Sequence, residues 1–243
     1  MLFGIIGDIH GNIDALEAVY ARLMERHVDK VYCTGDIVGY GAAPSECIEF
    51  IRSKKIATVI GNHDWHTAFP ERESFGVRDE AMQVFKWNRK MLSQEQLSWL
   101  ASLPMVLEEN GMIIRHGSSV PYPEWDYVIS VRSAAMHFLF QHGTLCFNGH
   151  SHVPVLSMHR PGCPVIFSKF RNMILPNGMD IMVGVGAVGQ PRDSDSRACC
   201  VLYDDKEKSI SSIRVEYDIG MAQRRIFEAK LPEVLAYRLA AGR

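Results

Sequence analysis

Five short clusters of histidine, aspartate, asparagine and glycine each follow an apolar run in the first 152 residues of this 243-residue chain. Histidine nitrogens combined with carboxylate and amide oxygens suit Zn, Mn, Fe, Co or Ni better than Ca or Cu(I). The residue types therefore point to metal chemistry. The clusters are Gly7-Asp8-Ile9-His10-Gly11-Asn12, Gly35-Asp36, Gly61-Asn62-His63-Asp64, His116-Gly117 and Gly149-His150-Ser151-His152.

The mixture of charges favours two metals rather than one. Two divalent cations about 3.5–4 Å apart need an anion between them, and one carboxylate can bridge both. Asp36 stands alone in its cluster and is the natural bridge. Two aspartates leave a surplus of about two positive charges, which a hydroxide nucleophile and an anionic phosphoryl group would neutralise. A structural metal site would be closed and closer to neutral, so phosphoryl transfer is the favoured chemistry.

Each cluster has a simpler interpretation when it is taken alone. Aspartate suits turns, Asn62-His63-Asp64 is compatible with a turn, and an isolated histidine such as His116 commonly makes a structural hydrogen bond. These interpretations give no reason for all five clusters to follow an apolar run. Ligands of an open α/β sheet gather outside the carboxyl ends of its strands. We therefore expect five strand ends at one sheet edge to bring the side chains together.

The hydrophobic pattern predicts the elements that would position the first three clusters. Short β-branched runs predict strands, and apolar residues at helical spacing predict the helices between them. This β-α-β-α-β order indicates a parallel sheet covered by helices. The predicted elements are strands at Leu2–Ile6, Val31–Thr34 and Ile56–Ile60 and helices at Ile13–Arg26 and Pro44–Arg52.

The rest of the chain predicts further helices and a strand-rich second half. We expect one domain over residues 1–243 with a helical insertion around 65–104, and surface loops at 69–77 and 118–127. The predicted strands are Met112–Arg115, Leu145–Asn148, Val153–His159, Val165–Lys169, Ile181–Val185, Ala198–Tyr203 and Ile210–Tyr217. The predicted helices are Arg78–Leu103 (one or two), Val131–Gln141, Gly220–Ala229 and Pro232–Ala240.

Composition excludes several classes of protein. With 47% apolar and 22% charged residues, the chain has the composition of a folded globular protein rather than a disordered one. Its net charge of −2 gives no global attraction to nucleic acid or to an anionic membrane. The six cysteines have no C-x-x-C spacing and predict reduced, buried thiols. The sequence shows neither a signal peptide nor an apolar run of about 20 residues, so a cytoplasmic location is expected.

The ordered clusters, with Gly35-Asp36-Ile37-Val38-Gly39-Tyr40-Gly41 as the second, resemble the motifs of the calcineurin-like metallophosphoesterase superfamily. The stretch Gly186-Ala187-Val188-Gly189-Gln190-Pro191-Arg192-Asp193 further resembles its branch of small prokaryotic phosphodiesterases. The resemblance implies an α/β (α+β) fold, a four-layer αββα sandwich of two mixed sheets flanked by helices.

The resemblance also implies a dinuclear metal centre, with two ions drawn from Mn, Fe, Zn, Ni or Co. A hydroxide bridging the metals would attack phosphorus in line. His63 would steady the phosphoryl oxygens or protonate the leaving group, a role worth about 10²–10⁴-fold if it is general-acid catalysis. The implied ligands are Asp8, His10, Asp36 and His152 for one metal and Asp36, Asn62, His116 and His150 for the other.

The second motif departs from that of serine/threonine phosphatases, which carry Asp and Arg where this chain has Gly39 and Tyr40. His63 therefore lacks its usual carboxylate partner. Arg192 is a candidate replacement for the phosphate-binding arginine, because a guanidinium binds phosphate bidentately. The alternative is that it pairs with Asp193 or Asp195. Asn12 either caps the first helix or faces the substrate near the helix terminus.

The expected function is metal-dependent hydrolysis of a small phosphodiester, with nucleotides among the candidates. The alternatives are a serine/threonine protein phosphatase, a dinucleoside-polyphosphate hydrolase and, more distantly, a binding module without catalysis. All expected ligands and His63 are present, which disfavours the binding module. No membrane or nucleic-acid partner is expected, and the sequence does not specify the oligomeric state. The remaining histidines are predicted to be non-ligands: His27, His66, His137, His142 and His159.

Overall fold

The computed structural model describes residues 1–71, 79–121 and 125–243. These residues form strands β1 (Leu2–Ile6), β2 (Lys30–Cys33), β3 (Ala57–Thr58), β4 (Val106–Glu109), β5 (Met112–Arg115), β6 (Leu145–Asn148), β7 (Pro154–His159), β8 (Ile166–Lys169), β9 (Asn172–Ile174), β10 (Asp180–Val185), β11 (Ala198–Asp204) and β12 (Ser209–Val215). The helices are α1 (Ile13–Glu25), α2 (Pro44–Ser53), α3 (Asn62–Ala68), α4 (Asp79–Met91), α5 (Gln94–Ala101), α6 (Val131–Phe140), α7 (Ile219–Glu228) and α8 (Glu233–Ala241).

The strands pair into two mixed sheets of six. The first sheet has the order β3-β2-β1-β11-β12-β9, and the second has the order β4-β5-β6-β10-β7-β8. In the first sheet β1, β2 and β3 are parallel to one another, as the β-α-β-α-β pattern predicted. In the second sheet β5, β6 and β10 are parallel. Each sheet therefore has one edge at which three carboxyl ends meet.

Side chains alternate between two apolar layers along β1. Phe3 and Ile5 point between the sheets, where they join Ile114, Phe147 and other residues of the second sheet. Such alternation follows from the two-residue period of a strand. The space between the two sheets is therefore an apolar layer that both sheets share.

The outer faces of both sheets are covered by helices. Ile6, on the opposite face of β1, packs with Leu16 and Leu23 of α1 and Ile48 of α2. Ala134 of α6 packs on Met182, on the outer face of the second sheet. The order of layers is helix, sheet, sheet, helix, so the expected four-layer αββα sandwich is confirmed.

Three elements were not predicted. Strands β4 and β9 lie at sheet edges, and at least half of the residues in each are exposed. They therefore show little apolar periodicity. Helix α3 covers residues interpreted as a turn, and the strand predicted at Ile56–Ile60 shortens to β3. The expectation for the cysteines was wrong at Cys163, which is exposed, whereas the other five are buried.

Two further predictions concern the surface loops and the cellular location of the protein. The predicted loops at 69–77 and 118–127 fall partly on residues 72–78 and 122–124, which lie outside the described residues. Across the described ranges, no helix combines the length and the apolar character needed to cross a membrane.

Candidate metal centre

The five clusters meet at one end of the molecule, but they come from two sheets. Loops after β1 and β2 carry Asp8, His10 and Asp36, and the first turn of α3, which follows β3, carries Asn62 and His63. Loops after β5 and β6 carry His116, His150 and His152. The expectation of a single sheet edge was therefore wrong. The two sheets pack face to face with these carboxyl ends on the same side, and the clusters converge across the gap between them.

One group of side chains contains Asp8, His10 and His152, all nearly inaccessible to solvent. The Nε2 atoms of His10 and His152 are 3.0 Å apart, and Asp8 Oδ1 lies 3.4 Å from His152 Nε2. Asp36 Oδ2 lies 3.6 Å from His10 Nε2. Asp36 therefore borders this first group.

A second group contains Asp36, His116 and His150, with Asn62 beside it. His116 Nε2 lies 3.3 Å from Asp36 Oδ2, 3.0 Å from Asn62 Oδ1 and 3.2 Å from His150 Nδ1. The same oxygen of Asp36 thus faces both groups.

The hydrogen bonds of the ring nitrogens decide which atoms can bind a cation. His10 and His152 donate from Nδ1 to the carbonyl oxygens of Val38 (3.3 Å) and Gln190 (2.5 Å). Their Nε2 atoms then present lone pairs to each other, which repel unless a cation lies nearby. Asp36 Oδ2 is buried and has no hydrogen-bond partner among the described residues, which is costly for a carboxylate. Both observations fit a site built for cations.

Burial keeps most of these imidazoles neutral. It lowers the pKa of His10 and of His150 to about 3, and that of His152 well below its usual value. Burial also opposes the charged form of His116, but Asp36 outweighs it and raises the pKa to about 9. Neutral imidazole is the form that binds metals.

The backbone of the site is held in a conformation that ordinary residues avoid. Positive φ angles occur at Asp8 (50°), His10 (50°), Asp36 (54°), His150 (65°) and His152 (58°). A non-glycine residue in this region costs on the order of 1–3 kcal/mol unless surrounding contacts enforce it. Here Asp8 N–H donates to Gly35 O (3.0 Å) and His10 N–H donates to Asp36 O (2.9 Å), so the loops after β1 and β2 hold each other.

His63 is oriented by packing rather than by a carboxylate. Its ring centroid lies 4.6 Å from that of His10, 4.4 Å from that of Tyr40 and 5.0 Å from that of Phe85. Its Nδ1 is buried and has no hydrogen-bond partner in the described part of the chain, and a Cβ at Gly39 would lie 2.3 Å from it. With no acceptor at Nδ1, the proton of the neutral ring belongs on Nε2, the nitrogen left to the cleft.

Asp64 does not orient His63, although it is adjacent in sequence. Its Oδ1 accepts from the backbone N–H groups of Ile37 (2.9 Å) and Val38 (3.1 Å), and its Oδ2 accepts from Gly61 N–H (3.0 Å). It thereby ties the loop after β2 to the start of α3. The signal for this role was available, because an acidic side chain in the first turn of a helix commonly bonds the preceding backbone.

Arg192 lies beside the metal-compatible groups and not on its neighbouring aspartates. Its guanidinium is 3.4 Å from Tyr40 Oη and 3.4 Å from Gln190 Oε1. Asp193 and Asp195 instead pair with Arg214 and Arg197. The alternative in which Arg192 pairs with those aspartates is therefore wrong.

Asn12 is committed to the backbone at both ends of its amide. Its Oδ1 accepts from Ala15 N–H (3.1 Å) as the N-cap of α1, and its Nδ2 donates to Gly189 O (3.0 Å). Of the two expectations for Asn12, the structure shows the helix cap. We therefore do not assign it to the substrate.

A cleft of about 280 Å³ opens beside the two groups. Tyr127 forms part of its wall and stacks on His150 with ring centroids 4.0 Å apart and an angle of 15°. Sequence reasoning missed Tyr127, because it lies in an irregular loop without periodicity. Phe85 of α4 forms another part of the wall, so the helices between residues 65 and 104 contribute to the cleft.

The histidines predicted to be non-ligands lie outside the groups that could hold a metal among the described residues. His137 is buried on α6, where Nδ1 accepts from Ser119 N–H (3.0 Å) and Nε2 contacts Gln141 Oε1 (2.7 Å). His66, the closest of the five to the site in sequence, stacks on Phe85 with centroids 5.2 Å apart.

Comparison with known proteins identifies the family to which this chain belongs. The family described as the calcineurin-like phosphoesterase superfamily domain matches residues 1–207. An uncharacterised protein of Methanocaldococcus jannaschii is 35% identical over 246 residues, which cover 100% of this chain and 98% of that protein. A metallophosphoesterase structure from Sphaerobacter thermophilus has a TM-score of 0.85 at 36% identity, covering 100% of this chain and 99% of its own.

A more distant relative has a named activity. The symmetrical bis(5'-nucleosyl)-tetraphosphatase of Haemophilus influenzae is 31% identical over 146 residues, which cover 57% of this chain and 51% of that enzyme. This chain thus matches about half the length of that relative. Proteins of the matched family hydrolyse phosphoesters at a dinuclear site of divalent metals. This chain belongs to the calcineurin-like phosphoesterase superfamily and is a phosphoester hydrolase.

Proposed function

We propose that the protein hydrolyses small phosphodiesters with two divalent cations that share Asp36. The observation that carries this proposal is the position of Asp36 Oδ2, which is buried between His10 Nε2 (3.6 Å) and His116 Nε2 (3.3 Å). No described residue forms a hydrogen bond with this oxygen. The proposed ligands are Asp8, His10, Asp36 and His152 for one cation and Asp36, Asn62, His116 and His150 for the other.

When bound, the two cations act as Lewis acids on the phosphoryl oxygens and lower the pKa of the attacking water. His63 holds a proton at Nε2 and donates it to the phosphoryl group or to the leaving oxygen. Arg192 binds a phosphoryl oxygen from the loop after β10. Tyr127 and Phe85 form part of the cleft wall beside the reacting group.

A diester of low molecular weight suits the cleft better than a phosphoprotein. The cleft has a volume of about 280 Å³, which is close to the lower end of the roughly 300–1,000 Å³ typical of small-molecule sites. Gly39 and Tyr40 replace the Asp and Arg that serine/threonine phosphatases use. A non-catalytic binding module stays disfavoured, because every proposed ligand and His63 lie at the same site.

The proposal is tested by comparing turnover of bis-p-nitrophenyl phosphate and p-nitrophenyl phosphate with Mn²⁺, Ni²⁺, Co²⁺, Zn²⁺ and Mg²⁺. We expect faster turnover of the diester, and Asp36→Asn should lower kcat/KM by at least about 100-fold because the carboxylate serves both cations. Asp180→Asn, at the far end of β10, is the matched control. Undiminished turnover by Asp36→Asn would contradict the bridging role. Absence of turnover with any metal would favour the binding module.

A further inference from the structure

The cleft contains a second arginine, Arg238, that the proposed reaction does not use. Arg238 projects from α8, near the C-terminus, and lines the cleft together with Arg192. We propose that Arg238 forms a second anion-binding position, so that the substrate carries a further phosphate group besides the one attacked. This inference rests on the proposed function, because it places the reacting phosphoryl group at the metal ligands.

Arg238 is half-buried, and its side chain has no partner among the described residues. Within the described ranges no carboxylate lies within 4.0 Å of it, and no hydrogen bond involves its side chain. Arg214, another half-buried arginine, differs in that it pairs with Asp193. A guanidinium that has lost part of its hydration without gaining a carboxylate is prepared to bind an external anion.

Within the described part of the chain, Arg192 also has no carboxylate within 4.0 Å, and its neighbours determine where its guanidinium lies. It lies over the Tyr40 ring with its Cζ 5.9 Å from the centroid, and Tyr40 in turn contacts His10 and His63. Arg192 is therefore tied to the reacting end of the cleft. Arg238 comes from a separate helix, so the guanidinium groups of Arg192 and Arg238 contact different parts of one substrate.

Glu80 of α4 lines the same cleft and has the opposite charge. Among the described residues it forms no ion pair within 4.0 Å, so it does not neutralise either arginine. A carboxylate at this wall weakens the binding of a second phosphate. Removing the charge of Glu80 should therefore strengthen the binding of a second phosphate, whereas removing that of Arg238 should weaken it.

The inference is tested by the binding of three nucleotides to the Mn²⁺-loaded protein, measured by isothermal titration calorimetry. Thymidine 5'-monophosphate carries one phosphate, thymidine 5'-diphosphate adds an anhydride-linked phosphate, and thymidine 3',5'-bisphosphate adds an ester-linked one. We expect at least one doubly phosphorylated nucleotide to bind about 10- to 100-fold more tightly than the monophosphate, as charged hydrogen bonds typically allow. The nucleotide that is preferred identifies the linkage.

Variants assign the preference to Arg238. Arg238→Gln should abolish it and leave the Kd of the monophosphate within about twofold, whereas Arg238→Lys should retain part of it. Glu80→Gln should strengthen it. Arg224→Gln, on the exposed surface of α7, removes the same charge away from the cleft and should change nothing.

Two outcomes would overturn the inference. One is equal binding of all three nucleotides by the unmodified protein, and the other is an unchanged preference in Arg238→Gln. A protein that hydrolyses no phosphoester yet shows the Arg238-dependent preference would contradict the proposed function and leave the anion position standing. Failure of this inference and failure of the proposed function therefore give different results.

Discussion

The His63 ring is held by neighbouring aromatic and imidazole rings and by the backbone. This arrangement depends on Gly39, which has no side chain. Gly39 has a φ of 113°, and a Cβ at this position would lie 2.3 Å from His63 Nδ1. The backbone N–H of His63 donates to Asp36 Oδ1 (2.8 Å), which links the histidine to the proposed bridging carboxylate. An aspartate at position 39, as in serine/threonine phosphatases, would collide with this ring position.

We expect Gly39→Ala to impair catalysis more than it impairs folding. The new Cβ would lie 2.3 Å from His63 Nδ1 and 2.9 Å from His10 Nδ1, so the rings must shift. A displacement of about 1 Å at a reacting group costs on the order of 100-fold in kcat. The backbone strain adds about 1–3 kcal/mol of destabilisation.

Gly111→Ala is the matched control for this prediction. Gly111 also has a positive φ (73°), but a Cβ there would meet no atom within 4 Å. This variant should carry a similar backbone strain and keep its kcat. Steady-state turnover of bis-p-nitrophenyl phosphate and urea unfolding separate the two effects. Equal losses of kcat in both variants would contradict the steric explanation.

At the scale of elements, α6 is fastened to the loop after β5 by a neutral histidine. His137 accepts from Ser119 N–H and is inaccessible to solvent, and burial lowers its pKa to about 4. The same loop begins with His116, one of the proposed ligands. The attachment of α6 therefore helps to position one side of the metal centre.

The depressed pKa of His137 predicts a loss of stability in acid. In the unfolded chain the pKa is near 6.5, so below that pH the unfolded state binds more protons than the folded state. The stabilisation is complete above about pH 6.5 and is lost as the pH falls towards 4, by about 3 kcal/mol. His137→Asn keeps an acceptor for Ser119 N–H but does not titrate.

Urea unfolding at pH 7, 5.5 and 4 measures this effect in both proteins. The unmodified protein should lose about 3 kcal/mol more than His137→Asn over this range, since the other titrating groups are common to both. Parallel losses in the two proteins would show that His137 is not responsible.

At the scale of the whole molecule, the candidate metal centre lies between the two sheets and draws its residues from both. Segments that follow strands of the first sheet supply Asp8, His10, Asp36 and Asn62, whereas loops of the second sheet supply His116, His150 and His152. Asp8 spans the gap between the sheets, because its carboxylate accepts from His150 N–H (3.0 Å). Cations bound at this junction would hold the sheets together.

Mn²⁺ should therefore raise the melting temperature. A ligand at about 100 times its Kd stabilises the folded state by about 2.7 kcal/mol, which corresponds to roughly 5–10 °C for a chain of this size. Scanning calorimetry with Mn²⁺ and with EDTA measures the shift. Asp36→Asn should reduce it strongly and Asp180→Asn should not, and an equal shift in both variants would contradict the assigned ligands.

Much of the fold was predictable because its central strands are short, apolar and bounded by polar clusters. Leu145–Asn148 is a strand with the predicted bounds, and Leu2–Ile6 likewise. Asn172–Ile174 and Val106–Glu109 were missed because edge strands bury little and carry a weak pattern. The turn-like sequence Asn62-His63-Asp64 begins a helix because Asp64 caps it, a contact that depends on the geometry of the loop.

By itself, the sequence determined which residue types stand after each strand, and hence that five clusters of metal-binding side chains exist. Only the tertiary structure decided that they converge from two sheets, since the packing of one sheet on another has no local signature. It also decided how His63 is oriented, that Arg192 faces Tyr40 and that Arg238 reaches the cleft from the last helix. Such contacts join residues far apart in the chain, and they follow from the folded shape rather than from any neighbouring pattern.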